Sequence, residues 1–374
     1  MEVVQVVALY PPHLGGQEAV AEQLATLQAQ RHRVTVYTSD VGAGGRPRVE
    51  EHPGLAGSLR VVRQRAAWLA NTPLLPGLLP RLLAHTPRPD VLHVHTGQAF
   101  VPEVVALAAT LRRIRFVAHQ HLVLRPSSRL GRMLLPAYFR LVYGPILRRA
   151  DRVICLTAAM RDEVVHRFGV HPARVAIIAN GVDTTRSPAG PAGPRRTDEL
   201  LFVGRLAVQK NVGALLHATA ALRAEGRDVR VRIIGDGPER RRLEALADRL
   251  GLAGTVAIDG RRDRAEIQAA YARATVLVLP STHEGMPLVL LEAMAAGTPV
   301  VAAALPEIVE VGGDAVLTVD VSAPGALAAA LGRVLDDAPL RSRLAAAATG
   351  RAQAYAWPTV AASVERLYAE VLGG

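Results

Sequence analysis

The chain has 374 residues, more than a single hydrophobic core usually serves, so two domains are expected. Half of the residues are hydrophobic and 21% are charged, the balance of a folded globular protein and not of a disordered one. A formal charge of +11 admits a nucleic acid, an anionic membrane surface or a phosphate-bearing ligand as partner. Aromatics at 4% are too scarce to interleave with basic residues, so nucleic acid ranks last and is not expected.

The first residues, MEVVQVVALYPP, carry Glu2 where a signal peptide would be basic, and the apolar run reads as a strand over 2–9. The next stretch, YPPHLGGQEAVAEQL, turns through Gly15 and Gly16 and enters a helix over 17–30. Glycines admit close backbone approach and a helix N-terminus favours anions, although an ordinary strand–helix turn reads the same way. The spacing is not that of a dinucleotide-binding GxGxxG loop. Further strands follow at 33–38, 59–63, 89–95, 115–119, 152–156 and 175–179, with helical spacing between most of them, as over 102–111. Buried β-branched runs alternating with helices predict parallel sheets. The lone cysteine, Cys155, sits in the apolar RVICLT and reads as a buried free thiol in a reducing, cytosolic setting.

Residues 187–199, SPAGPAGPRRTDE, read as a linker. The β/α rhythm then restarts with strands at 200–204, 229–234, 256–259, 276–279, 299–302 and 315–319, before a terminal helix at 359–372 whose packing partner periodicity does not reveal. The expectation is α/β, two doubly wound domains, 1–186 and 187–357, facing each other across a cleft and binding ligands at the carboxyl ends of their strands. No apolar stretch reaches membrane-spanning length without charges, so the protein is expected to be soluble or at most peripheral.

Besides the Gly15-Gly16 turn, four constellations could carry chemistry. In FVGRLAVQKN, Arg205 and Lys210 follow a strand that Gly204 breaks, and Lys210 is the only lysine in the chain. Guanidinium grips phosphate as a fork and ammonium as a point charge, so the pair suits a diphosphate. GDGP, from Gly235 to Pro238, is either a structural turn or a ligand contact. LPSTHEGMPLVLLEAMAAGTPVV places Glu284 on a loop and Glu292 about a turn into a helix that starts near Leu288. The helix end would bind phosphate and the carboxylates would accept sugar and ribose hydroxyls. A glycosidase carboxylate pair is the competing reading, and the neighbouring cations weigh against it. His119 and His121 share one face at a strand end, as do His93 and His95 one unit earlier. Metal binding lacks a carboxylate or cysteine there; packing is expected for most of these rings and substrate contact for one. Finally, no Asp-x-Asp occurs, so the charge of a nucleotide diphosphate would have to be met by Arg205, Lys210 and helix ends, with no metal and no other cofactor.

Taken together and in order, the GG turn, Asn180-Gly181-Val182-Asp183, VGRL with QK, GDGP and the Glu-x7-Glu run ending EAMAAGTPVV resemble glycosyltransferase family 4, retaining enzymes of the GT-B fold. The resemblance covers nearly the whole chain. It implies transfer of a sugar from a UDP- or GDP-type donor, held by the C-terminal domain, to an acceptor held by the N-terminal one. It also implies that the helix 358–374 crosses back to the N-terminal domain. Gly16, beside Gly15, would face the donor phosphates, and Arg205 and Lys210 would neutralise the leaving diphosphate. Glu284 with the Gly285 and Met286 amides would meet the donor sugar, Leu288 and Val289 amides the phosphates, and Glu292 the ribose. Backbone near Arg261 and Arg262 would face the base. His121, favoured over His119, would stand near the donor sugar. Two departures touch the sugar pocket: Met286-Pro287 replaces a common Phe-Gly, so Pro287 lacks an amide donor there, and AAALPEIVEV is shorter than the usual form. No protein nucleophile is identifiable, so Glu284 and His121 are read as positioning and electrostatic groups.

The segment from Leu111 to Arg152 carries Arg112, Arg113, Arg115, Arg125, Arg129, Arg132, Arg140, Arg148 and Arg149 among Leu134, Leu135, Tyr138 and Phe139. Contact with an anionic membrane, serving a lipid-linked or cell-envelope acceptor, and a solvated arginine-rich surface stand level as readings. Glycan and small-molecule acceptors remain open as well. Competing functions are a nucleotide-sugar 2-epimerase of the same fold and a non-catalytic polyanion-binding module.

Overall fold

The computed structural model describes residues 1–13, 15–44, 48–53, 57–69, 72–121, 129–185 and 198–373. The chain divides into two compact units, Met1–Asn180 with Trp357–Gly374, and Gly181–Ala356.

The first unit contains β1 (Glu2–Val6), β2 (Arg33–Ser39), β3 (Val49–Pro53), β4 (Ser58–Gln64), β5 (Ala67–Leu69), β6 (Thr72–Leu74), β7 (Val91–Thr96), β8 (Arg115–Gln120), β9 (Arg152–Cys155) and β10 (Val175–Ile177). Eight of these form one sheet in the order β10-β9-β8-β7-β1-β2-β4-β3. Every pairing in it is parallel except β3 with β4. The parallel strands are the apolar runs, buried on both faces by helices. β3 and the hairpin of β5 with β6 were not among the expected strands. VEEHP has no apolar run, and β3 gains its pairing as an edge strand through backbone hydrogen bonds, with Val49 half exposed.

Helix limits follow local chemistry. The helix Ala158–Phe168 begins where the Thr157 hydroxyl accepts from the Met160 amide, and stops at Gly169, whose φ of +67° suits the left-handed cap. The terminal helix Trp357–Gly373 belongs to the first unit, with Val360, Val364, Leu367 and Val371 buried at helical spacing. Its Tyr368 is fully buried and accepts from Gln28 at 3.4 Å.

The second unit contains β11 (Glu199–Val203), β12 (Arg230–Ile234), β13 (Val256–Gly260), β14 (Val276–Leu279), β15 (Val300–Ala303) and β16 (Val316–Val319), all parallel, in the order β13-β12-β11-β14-β15-β16. Leu200, Phe202, Leu215, Leu216 and Leu331 are fully buried in its core. Truncating one such leucine to alanine costs about 2–5 kcal/mol. Glu199 is already in β11, so the expected linker is shorter at its far end; residues 187–197 lie outside the described residues. The unit starts at Gly181, and the Val182 amide bonds Tyr355 O within it at 2.8 Å.

Each sheet changes winding direction once: between β7 and β1 in the first unit and between β11 and β14 in the second. Loops at the carboxyl ends of such strands leave a crevice where ligands of open α/β sheets bind.

Candidate active site

In the second unit, the loop after β11 is braced by the GDGP turn after β12. Gly204 donates to Ile234 O at 3.0 Å, and Leu206 donates to Asp236 O at 3.0 Å. Glu239 donates back to Leu206 O at 3.0 Å. A Cβ on Gly235 would lie 1.8 Å from Gly204 O, and one on Gly237 would lie 2.3 Å from Leu206 O. The GDGP glycines therefore let two backbones approach, which settles the structural side of their reading. The braced loop ends in a short 3-10 turn, Val208–Lys210.

Lys210 crosses the crevice to the loop after β14. Its Nζ donates to Glu284 Oε1 at 2.7 Å and Oε2 at 2.9 Å, and Ser281 Oγ donates to Oε1 at 2.6 Å. Backbone ties the loops together as well, Thr282 donating to Gln209 O at 2.8 Å. The side chains of Lys210 and Glu284 are 18% and 7% exposed. A nearly buried carboxylate is thus neutralised by an ammonium that keeps some access to solvent. Charge-assisted bonds of this kind are worth about 1.5–3 kcal/mol. Ser281 was not among the expected site residues; its place three residues before Glu284 was the available signal.

The helix Leu288–Ala295 starts after Pro287, its cap, so the Leu288 and Val289 amides have no acceptor within the helix. Leu288 and Val289 are half-buried, as is Gly285, whereas Met286 and Pro287 are buried. Glu292 does not join Glu284. It accepts from Tyr271 OH at 2.9 Å, a partner from the helix Arg264–Arg273 that the sequence did not reveal. Burial raises the Glu292 pKa, with the Tyr271 hydrogen bond and the Arg264 charge pulling partly back. Arg205 is exposed, and its guanidinium has no partner among the described residues. Arg261 and Arg262 are exposed beyond β13, and Arg262 approaches Glu266 at 3.5 Å.

In the first unit, Gly15 precedes the helix Gly16–Gln28 with an extended backbone that any residue adopts. Space is what singles it out: a Cβ there would lie 2.2 Å from the Glu18 carboxylate, which folds back and bonds His13 at 3.0 Å. Burial raises the Glu18 pKa against the pull of its own backbone amide and of His13. The helix end expected to receive an anion is therefore attended by a carboxylate of the chain itself.

The two histidine pairs form one cluster, because β7 and β8 are neighbours and His95 pairs with His119 in register. His93 stacks on His95 with ring centres 4.5 Å apart, and His119 on His121 at 4.3 Å. His95 Nδ1 and His121 Nε2 are 2.9 Å apart, and His93 Nε2 and His119 Nδ1 are 3.1 Å apart. His93, His95 and His119 offer nitrogens within 4.8 Å of one another, the spacing of a metal set. Those nitrogens are largely spent on each other, on Gln5 and on Tyr368, and the group includes no carboxylate to offset a buried cation. Burial lowers all four pKa values, those of His93 and His121 to about 3. Cys155 is fully buried and burial raises its thiol to about 12, which makes it a packing residue.

Of the basic segment, Arg112 donates to Leu82 O and His85 O at 2.9 Å each, Arg148 to Phe168 O at 2.6 Å, and Arg115 pairs with Asp151 at 2.9 Å. Phe139 is buried. Phe139 is therefore core, and the three arginines each carry a partner within the unit although Arg115 and Arg148 stay exposed. Arg125 lies outside the described residues, as do the Arg129, Arg132 and Leu134 side chains. Leu122 and Val123, which follow His121, lie outside them too.

Comparison with known proteins matches residues 14–186 to the family model Glycosyltransferase Family 4 and residues 185–351 to Glycosyl transferases group 1. Glycogen synthase of Mycobacterium tuberculosis is 32% identical over 292 residues, 75% of this chain and 69% of that protein. D-inositol 3-phosphate glycosyltransferase of Frankia alni is 34% identical over 309 residues, 76% of this chain and 74% of that protein. Among solved structures, sucrose-phosphate synthase from Thermosynechococcus elongatus superposes with a TM-score of 0.81 at 24% identity, covering 100% of this chain and 99% of that one. Anabaena HepE in complex with UDP-glucose gives 0.79 at 19% identity, covering 99% and 100%. The polyanion-binding reading falls away with these matches. The chain belongs to glycosyltransferase family 4, an enzyme built on the two Rossmann-like units of the GT-B fold.

Proposed function

We propose that the enzyme transfers a sugar from a UDP- or GDP-type nucleotide sugar to a hydroxylated acceptor, with retention at the anomeric carbon and without a divalent ion. The observation that carries this reading is the only lysine of the chain, placed at the β11–β14 switch crevice against a nearly buried carboxylate. A neighbour of the same fold holds UDP-glucose, and two relatives are named glycogen synthase and D-inositol 3-phosphate glycosyltransferase. The second unit would bind the donor and the first the acceptor.

In this reading the donor diphosphate competes with Glu284 for Lys210. The ammonium turns to the β-phosphate, Arg205 joins it, and the Leu288 and Val289 amides cover the remaining oxygens. Gly16 would add its backbone. Glu284, released from Lys210 but still held by Ser281, accepts hydroxyls of the donor sugar beside the Gly285 and Met286 amides, while Glu292 accepts from the ribose. Backbone near Arg261 and Arg262 faces the base. The bond from the anomeric carbon to the phosphate oxygen breaks, the acceptor oxygen bonds that carbon from the same face, and the departing phosphate takes the acceptor's proton. His121, neutral because burial lowers its pKa to about 3, orients the sugar and supplies no proton at neutral pH.

For the acceptor, the favoured reading is a lipid-linked glycan precursor at the cytoplasmic face of a membrane. Met133 and Leu141 are 69% and 72% exposed, and Val142 and Arg140 are exposed beside Leu141. Leu107 and Leu111 are exposed one helical turn apart, and Arg149 reaches Thr110 between them at 3.3 Å. Among the described residues no helix is long and apolar enough to cross a membrane. Flotation with anionic and neutral liposomes tests this: binding to neither removes the membrane.

Calorimetry with UDP, GDP and their sugars, followed by NMR of the product's anomeric configuration, tests the reaction. Arg205→Ala and Lys210→Ala should each weaken diphosphate binding by about tenfold or more. An epimerised sugar with no transfer product would overturn the proposal in favour of a 2-epimerase.

A further inference from the structure

In the first unit, a chain of buried side chains leads to His121. Gln5, Gln28 and His93 are fully buried, and His95 and His119 are 2% and 1% exposed. Gln5 is a polar residue inside the apolar β1, between Val4 and Val6. Its Nε2 donates to Gln28 Oε1 at 2.9 Å, which leaves its Oε1 as an acceptor facing His95 Nε2 at 3.1 Å. Gln28 in turn donates from Nε2 to the Tyr368 hydroxyl of the terminal helix.

These bonds have a direction. A neutral imidazole has one N–H and one lone pair, and the bond made by one nitrogen decides the other. Gln5 Oε1 can only accept, so His95 carries its proton on Nε2. His95 Nδ1 is then a lone pair, and His121, 2.9 Å away, must donate to it from Nε2. On the other branch the Tyr368 hydroxyl accepts from Gln28 and shares a hydrogen bond with His93 Nδ1. His93 Nε2 and His119 Nδ1 share the next bond, and His119 Nε2 is buried without a partner among the described residues.

We infer that Gln5 and His95 are positioning residues for sugar transfer: they fix His121 as its Nε2–H tautomer and leave the Nδ1 lone pair for a ligand hydroxyl. The inference rests on the proposed place of His121 beside the donor sugar. Without the Gln5 carbonyl, His95 is free to move its proton to Nδ1. His121 would then meet a donor with a donor, and must either lose that bond or expose Nδ1–H to the sugar. The Tyr368 branch braces the stacked rings but sets no proton on His121.

Long-range proton–nitrogen NMR of the full chain labelled with 15N-histidine reads the tautomer, His121 being assigned by the signals lost in His121→Asn. His121 should be protonated on Nε2 alone from about pH 6 to 8. Gln5→Leu should move part of that population to Nδ1–H and lower kcat about tenfold, the equivalent of one well-placed hydrogen bond, with donor KM within about twofold. Tyr368→Phe should lower Tm but leave the His121 tautomer unchanged and kcat within about twofold. A wild-type His121 protonated on Nδ1 overturns the inference, and so does a folded Gln5→Leu with unchanged kcat. The spectra are taken on the free protein, so they stand even if donor binding, the test of the proposed function, fails.

Discussion

Replacing Lys210 by arginine and by alanine separates what its charge does for the fold from what its shape does for the reaction. Its ammonium lies 2.7 and 2.9 Å from the two Glu284 oxygens. In Lys210→Ala that carboxylate, 7% exposed, keeps among the described residues only the Ser281 hydroxyl. The loss is a charge-assisted pair worth about 1.5–3 kcal/mol, towards the lower end because the Lys210 side chain keeps 18% of its surface in water. The same variant removes a preorganised cation from the leaving diphosphate, which should lower kcat by about 10²–10³, or about 2.7–4 kcal/mol of barrier. Lys210→Arg retains the charge, and its fork can still meet Glu284, so stability should stay within about 0.5 kcal/mol of wild type. A planar guanidinium cannot occupy the position of a compact ammonium beside the phosphate, and kcat should fall by at least about tenfold. Urea unfolding and steady-state transfer rates measure the two effects. Lys210→Arg with wild-type kcat would refute the point-charge argument. Lys210→Ala that loses stability but keeps its turnover would confine Lys210 to a structural role.

Other outcomes follow from the same structure. Burial holds the folded pKa of Glu292 above its unfolded value, so the stability tied to its proton is present at acid pH and lost as pH rises through the folded pKa. Glu292→Gln should therefore raise Tm at neutral pH, and melting curves should show the gain vanishing below the usual carboxylate range. Gly235→Ala puts a Cβ 1.8 Å from Gly204 O at a φ of +146°, and should cost more than about 4 kcal/mol by chemical denaturation. With the His121 pKa lowered to about 3 by burial, kcat should show no inflection from this residue between about pH 5 and 8. A pH–rate series in which His121→Asn abolishes such an inflection would contradict that.

The parallel strands were legible because a strand buried on both faces is a plain apolar run, as in LLFV and VLVL. β3 was not, because an edge strand reads VEEHP and owes its pairing to its backbone. Arg205, Lys210, Glu284 and Glu292 could be picked out by residue type and spacing. Their partners could not: Lys210 meets Glu284 only because β11 and β14 are neighbours, an order that sequence does not print. The histidine pairs show the same limit. Alternation put each pair on one face, but only the pairing of β7 with β8 merges them. Gln5 within VVQVV was a visible exception to an apolar strand, and it accepts from the cluster. In the basic segment charge alone misleads, since Arg112 and Arg148 spend their guanidinium groups on buried carbonyls.

The central claim is that the positive charge receiving the diphosphate comes from the protein. Its most direct measurement is the rate of sugar transfer in excess chelator, compared with the rate after magnesium or manganese is restored. The account predicts the same rate in both. Turnover that stops on chelation and returns with the cation would contradict it.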